Sequence, residues 1–408
     1  MHSHRAIPAR RVAEGRVDEA PVAPPPGPSF SRGLWRIAAA DVSSDNTVRL
    51  LRDGPATFDA MIELIDGART SVALESYIFR SDEVGRRFGD ALTRAAQRGV
   101  AVRLLLDYVG ARGTSRGFLR QLTRSGVDVQ IFNRFGFRPW FGFFPRDHRK
   151  LLVVDETVGV TGGVGVGREW TTGVLKRHRS RWRDTAVVIE GPAARDMIAA
   201  FENMWRRTVG RERRGSHRFL RRAARGSHLD PSTHTPALVG IIEGEPLRLR
   251  VSRALQIQAI SAERSIWIAT AYFAPSPSEV EALNGAARDG VDVRILVPSR
   301  NDHPWVSLLA RRYYRRLLTN GVRIWEWQGE MMHAKTSVID GRWVRVGSTD
   351  FNPLGIAINY ELDAVIEDPA LAEEAESMFL KDLEISKEVG LKGARDSSGT
   401  IDKSISRD

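Results

Sequence analysis

No cysteine occurs among the 408 residues, which excludes disulfides, thiolate nucleophiles and cysteine-ligated metals and fits a reducing compartment such as the cytosol. Nowhere does the chain offer the ~18 consecutive apolar residues of a membrane-spanning helix, and its N-terminal stretch holds no secretory apolar region. Metal ligands are scarce too. Of nine histidines, seven (His2, His4, His178, His217, His228, His234 and His303) show no ligand spacing, so neither a metal nor another cofactor is expected. Acidic residues are outnumbered, 50 against 61 Lys+Arg, for a formal charge of +11. That excess favours an anionic partner: nucleic acid, a phospholipid surface or a phosphorylated substrate.

Residues 1–33 are rich in Pro, Arg, Ala and Gly, show no apolar periodicity and read as a disordered tail. Beyond them the pattern alternates. Val48-Arg49-Leu50-Leu51 leads to a turn at Asp53-Gly54-Pro55 and a helix from Thr57 to Ala68; a strand follows from Ser71 to Phe79. A second helix from Glu83 to Arg98 stops at Gly99, before the apolar strand Val100–Leu106. Strands alternating with helices predict an α/β layered fold. The same order returns later. Ala262–Ile268 echoes Ala68–Leu74, Ala287–Leu296 echoes Ala96–Leu105, and Gly321–Ile324 echoes Gly126–Val129. The chain is therefore expected to hold two copies of one domain, 34–205 and 241–388, joined by a basic linker at 206–240 and followed by a second tail at 389–408.

Each copy carries one motif. His148-Arg149-Lys150 runs four residues on to Asp155 and then to Gly162-Gly163; His333-Ala334-Lys335 runs four residues on to Asp340 and then to Gly347-Ser348. In a strand, residues two apart share a face, so His148 and Lys150 project together, as do His333 and Lys335. A duplication sets equivalent loops about a pseudo-two-fold axis, where both motifs can meet in one pocket. Two imidazoles and two ammonium groups call for an anion. A phosphate diester fits: one His attacks phosphorus, the other protonates the leaving alcohol, and the lysines neutralise the non-bridging oxygens.

The doubled His-x-Lys-x4-Asp pattern resembles the phospholipase D superfamily over about residues 45–385, and within it the bacterial cardiolipin synthases. Supporting stretches are Ser76–Phe79, Trp182-Arg183-Asp184-Thr185 and Asn359-Tyr360-Glu361. The resemblance implies two α-β-α sandwich domains related by a pseudo-two-fold axis, and transfer of a phosphatidyl group through a phosphohistidine on His148, with His333 as acid and base. It implies that Asp184 serves His148 and Glu361 serves His333. Asp155 and Asp340 complete the motif and read as structural, each following a strand at a turn. Gly163, Gly165, Ser348, Asp350 and Asn352 fall in the phosphate-binding segments. Here the chain departs from its relatives: Gly165 and Asp350 stand where asparagines are usual, Asn352 where Asp is, and Leu354-Gly355 where Arg-Ser is. An ionised Asp350 repels a diester unless a lysine pairs with it. The implied partners are an anionic phospholipid substrate and a membrane surface, giving a cytoplasmic, peripherally attached enzyme. Phospholipid hydrolysis, nucleic-acid cleavage and a membrane-binding member of weakened activity are the alternatives, with nucleic acid the least favoured partner. The oligomeric state is left open, a monomer being the simplest reading.

Three further stretches invite a lipid reading. Phe135–Pro145 alternates aromatics with Gly and Pro, which suits neither a helix nor a core strand. Trp140 and Phe141 there are expected to enter the lipid interface or hold acyl chains, against the plainer reading that the loop packs on its own domain. The arginines from Arg206 to Arg225 make either a solvated connector or a contact with anionic lipid. Arg311-Arg312-Tyr313-Tyr314-Arg315-Arg316 is predicted to lie on an amphipathic helix with its basic side toward anionic lipid.

Overall fold

A computed structural model describes Leu34, Ala38 and residues 40–133, 145–171, 181–210 and 236–391. Trp140 and Phe141, both tails save for residues 389–391, and linker residues 211–235 lie outside them. Two linker ends prove to be ordered structure, since a helix continues to Val209 and a strand begins at Ala237.

The first half runs β1 (Asp41–Arg52), α1 (Asp53–Gly67), β2 (Ser71–Ser76), α2 (Glu83–Gln97), β3 (Ala101–Asp107), α3 (Arg116–Arg124), β4 (Asp128–Phe132), β5 (Lys150–Val154), β6 (Val158–Gly162), β7 (Thr185–Glu190) and α4 (Ala193–Val209). The second runs β8 (Ala237–Gly244), α5 (Arg250–Ser261), β9 (Ser265–Thr270), α6 (Pro277–Arg288), β10 (Asp292–Pro298), α7 (Pro304–Thr319), β11 (Arg323–Trp327), β12 (Lys335–Ile339), β13 (Trp343–Gly347), β14 (Glu361–Glu367), α8 (Pro369–Leu383) and β15 (Ser386–Glu388). The expected turn at Asp53 is instead the first turn of α1. Asp53 adopts a left-handed φ of +70°, which turns the chain out of β1 directly into the helix.

All the strands form one sheet in the order β15-β11-β10-β9-β12-β13-β14-β8-β1-β7-β6-β5-β2-β3-β4. Apart from β15, the order reads the same from either end under the exchange of halves, with the pseudo-two-fold between β8 and β1. Those two strands pair antiparallel, Asp41 opposite Ile241 and Val42 opposite Gly240. The sheet also folds back on itself, so that β6 and β7 approach β13 and β14.

Side-chain alternation builds the layers. On β2 and β5, Val72, Leu74, Leu152 and Val154 face a core shared with α1 and α2, while Ala73, Leu151 and Val153 face the core that contains α4. On β9, Ile266 and Ile268 face α5 and α6, and Trp267 and Ala269 face Phe379 of α8. Each half is thus an α-β-α sandwich, and the α4 core also takes in β8, β12–β14 and α8 from the other half. Local signals agree with the repeat. Asp82 caps α2 by accepting from Gly85 N, Ser276 and Glu279 form a capping box on α6, and Gly99 and Gly290 close the matching helices with φ of +85° and +93°.

The basic face expected on α7 is partly spent within the fold. Arg311 pairs with Glu326 of β11 at 3.3 Å and Arg316 pairs with Glu281 of α6, while Arg312 and Arg315 are exposed.

Candidate active site

The two motifs meet. β5 and β12 begin at Lys150 and Lys335, and the residues just ahead of them cross the seam between halves. His148 N donates to Tyr360 O at 2.9 Å, and His333 N donates to Arg183 O at 2.7 Å. Each histidine is thereby set beside the carboxylate that opens the other half's β7 or β14. His148 Nδ1 lies 3.0 Å from both Oε1 and Oε2 of Glu361, and His333 Nδ1 lies 2.7 Å from Asp184 Oδ2.

This reverses the expected assignment of Asp184 to His148 and of Glu361 to His333. The reason is the spacing of strands. Within one half the histidine precedes β5 and the carboxylate precedes β7, with β6 between them, a separation of ~10 Å at ~4.8 Å per strand. Across the seam the same groups are direct neighbours.

The lysines follow their histidines on one face. Lys150 Nζ donates to His148 O at 2.6 Å; Lys335 Nζ donates to His333 O at 2.7 Å and to His333 Nε2 at 2.9 Å. Each ammonium also sits over a tyrosine ring, Lys150 over Tyr77 at 5.5 Å and Lys335 over Tyr272 at 5.6 Å. The same tyrosines meet the imidazoles edge-on, at 4.8 Å for His148 and 6.2 Å for His333. Tyr77 and Tyr272 were legible in retrospect, since each stands one or two residues beyond the equivalent strands β2 and β9.

Burial decides the electrostatics. Lys335, Asp184 and Glu361 are fully buried, and Lys150 is 4% exposed. Burial, then the Lys150 ammonium, holds His148 well below the usual imidazole range; burial and Lys335 lower His333. Burial also brings Lys150 down to about 8, with Lys335 adding to the effect, and pushes Glu361 up to about 8. Asp184 behaves oppositely: burial pushes it up, but the His333 imidazole and the Trp170 indole N–H, which donates at 2.8 Å, hold it below the usual carboxylate range. Both imidazoles are therefore neutral near pH 7, and the Lys335 ammonium on His333 Nε2 leaves Nδ1 as the protonated nitrogen that donates to Asp184.

The phosphate-binding segments divide. Ser348 Oγ donates to Glu361 Oε2 at 2.5 Å. At the equivalent Gly163 there is no room for a side chain, because a Cβ would lie 2.1 Å from Asp184 Oδ1. Gly165 does not leave an empty amide position: a Cβ there would meet Trp170 at 2.8 Å and Ile78 at 3.1 Å. Asp350 is in the pocket, 4% exposed and 3.5 Å from Lys335 Nζ, with its charge acting on both imidazoles and on Lys150. The lysine expected to offset it is thus present. Asn352 serves its own loop, accepting from Gly355 N at 2.9 Å.

Asp155 and Asp340 lie at the far ends of β5 and β12, ~20 Å from the imidazoles at ~3.3 Å per residue. Asp155 accepts from the backbone N–H groups of Arg69, Thr70 and Ser71 at 2.7–2.9 Å, and Asp340 from those of Glu263, Arg264 and Ser265 at 2.8–3.2 Å. They fasten the start of β2 and β9 to the end of the motif strand. Sequence reasoning missed the packing around His333, where the Trp170 and Trp182 rings lie at 5.6 and 5.2 Å. It also missed the buried acid group behind Arg149. That guanidinium, 1% exposed, pairs with Glu243 at 3.1 Å beside Glu75 and Asp147, whose carboxyls burial raises, Asp147 to about 6.

A two-fold α/β sheet with one His-x-Lys pair from each half at its seam defines a duplicated fold of the phospholipase D type. The family described as cardiolipin synthase, PLD-like domain, matches residues 61–205 and 256–383, well over half the chain. The chain belongs to that family. A cardiolipin synthase of Geobacillus sp. (strain WCH70) is 32% identical over 85% of this chain and 68% of its own length, and one of Listeria monocytogenes serotype 4a (strain HCC23) is 31% identical over 84% and 70%. Among solved structures, the phosphatidylserine synthase of Haemophilus influenzae Rd KW20 superposes with a TM-score of 0.67 over 89% of this chain and 92% of its own, at 14% identity, which is a likeness of fold.

Proposed function

We propose that the protein is a phosphatidyltransferase that makes cardiolipin from two molecules of phosphatidylglycerol, working at the membrane surface through a phosphohistidine on His148. The observation that carries this reading is the crossed pair of imidazole–carboxylate contacts, His148 with Glu361 and His333 with Asp184, which brings both imidazoles together beside two buried lysines. The similarity to cardiolipin synthases supports the choice of substrate.

As the anionic diester enters, His333 takes up a proton from solvent at Nε2, where it replaces the Lys335 contact. In the first step His148 Nε2 then attacks phosphorus, and the bond to the leaving glycerol oxygen breaks as the His333 imidazolium gives that oxygen its Nε2 proton. Burial and Lys335 make the His333 imidazolium a strong acid, and the ionised Asp184 stabilises it while it is charged. Lys150 and Lys335 face the charge that develops on the non-bridging oxygens. In the second step His333 takes the proton of an incoming glycerol hydroxyl, whose oxygen displaces His148 from phosphorus. Two features favour His148 over His333 as nucleophile. Its side chain is 13% exposed against 4%, and Lys335 occupies Nε2 of His333 whereas Lys150 bonds the His148 carbonyl.

Purified protein incubated with labelled phosphatidylglycerol vesicles is expected to yield cardiolipin and free glycerol. Phosphatidic acid as the main product would replace transfer with hydrolysis, and binding without product would sink the enzymatic reading. If Trp140 and Phe141 hold lipid, changing both to Ser weakens vesicle binding while turnover of a soluble diester persists.

A further inference from the structure

The two halves act as controls for each other. In the first, β1 ends at Arg52 and α1 begins at Asp53; in the second, the residues Glu245-Pro246-Leu247-Arg248-Leu249 separate the end of β8 at Gly244 from the start of α5 at Arg250. The insertion leaves the sheet at the edge of the site, because Gly244 is the residue paired with Glu361 in the β8–β14 ladder.

Its side chains are disposed against the usual rules. Leu247 is 83% exposed and Leu249 36%, and both adopt left-handed backbone, with φ of +67° and +51°, which disfavours a residue carrying a Cβ. Leu247 N donates to Ala357 O at 2.8 Å. That bond ties the apex to the π-helical turn Leu354–Ile358, which lies between Asp350 and Glu361. The conformation is thus held by that bond, yet it leaves Leu247 almost wholly in solvent and Leu249 partly so. Around them the charge is positive: Arg248 and Arg207, 61% and 47% exposed, share the single carboxylate of Glu245, and Arg253 is exposed on the next turn.

We propose that the Glu245–Leu249 loop is a prong that seats the site on an anionic bilayer. Leu247 and Leu249 enter the acyl region, and Arg207, Arg248 and Arg253 meet headgroup phosphates. The proposal rests on the phospholipid reading given above and names the surface that serves it. A strand of nucleic acid would be drawn by the arginines but would leave the leucines in water.

Because the chain holds no cysteine, Leu247→Cys can carry one environment-sensitive fluorophore. Vesicles containing phosphatidylglycerol are expected to shift its emission to the blue, and pure phosphatidylcholine vesicles to shift it less; an unchanged spectrum with the anionic vesicles overturns the proposal. The double change Leu247→Ser with Leu249→Ser is expected to weaken co-sedimentation with the anionic vesicles about tenfold or more, while turnover of a water-soluble phosphodiester stays at the wild-type rate. Undiminished co-sedimentation would also overturn it. Should wild-type protein fail to turn over any diester, the phosphotransfer reading falls, and the fluorophore still decides whether the loop enters the bilayer.

Discussion

The two halves of the site are built from equivalent residues and do not behave alike. His148 faces Glu361, which burial raises to about 8, and its ring keeps some exposure; His333 faces Asp184, which its partners hold ionised, and is enclosed by Trp170 and Trp182. A longer carboxylate held by Ser348 on one side matches a shorter one held by an indole N–H on the other. Duplication supplies two identical starting sets, and the residues packed behind each carboxylate divide them. The half with the neutral pair suits attack on phosphorus, and the half with the ionised carboxylate suits a group that is cationic before the first step and again after the second.

The sharpest way to break that division is to remove one imidazole at a time. His148→Ala and His333→Ala should each lower turnover on the order of 10⁴-fold or more. With a labelled diester that has a good leaving group, however, only the variant retaining His148 should trap label on the protein; label on His333 in the His148→Ala variant would invert the assignment. Next in size are the carboxylates. Asp184→Asn removes an ionised partner and should cost on the order of 10²–10⁴-fold in kcat, whereas Glu361→Gln replaces a group that is mostly uncharged at pH 7 and should cost about tenfold. Equal losses would erase the distinction.

The pH profile sharpens it further. Lys150 loses its proton as pH rises through about 8, so kcat/KM for a soluble diester should fall along an alkaline limb near that value. Lys150→Arg, which stays charged, should move the limb upward even if the maximum drops. On the acid side both imidazoles lie below the usual range, so activity should persist below pH 6.5. The smallest effects belong to the departures from the family pattern. Asp350→Asn removes the charge beside Lys335 and should lower KM for the diester a few-fold. Its counterpart Gly165→Asn must displace Trp170 and should destabilise the fold by ~1–3 kcal/mol, seen as a lower thermal midpoint.

Much of the fold was legible because the duplication repeats its local signals: capped helices, Gly99 and Gly290 at matching ends, and apolar strands of one length. The motif residues His148, Lys150, His333 and Lys335 were legible for the same reason. What the sequence did not contain was adjacency across the seam. Asp184 follows His148 in the chain and was assigned to it, yet β6 stands between them, and only the meeting of Arg183 with His333 and of Tyr360 with His148 settles which carboxylate serves which ring. Gly165 was equally opaque. A missing amide could not reveal that a tryptophan five residues on fills its place.

The pairing of β1 with β8 also has a mechanical consequence. Enzymes assembled from two lobes often admit substrate by opening about a hinge, but here the lobes share a hydrogen-bonded ladder, irregular only between Ser43 and Asn46, and a common apolar core. Opening the cleft would tear that ladder. The distance between the two imidazoles is therefore fixed by the sheet, and traffic of lipids must pass over the rim rather than through a parting of the halves.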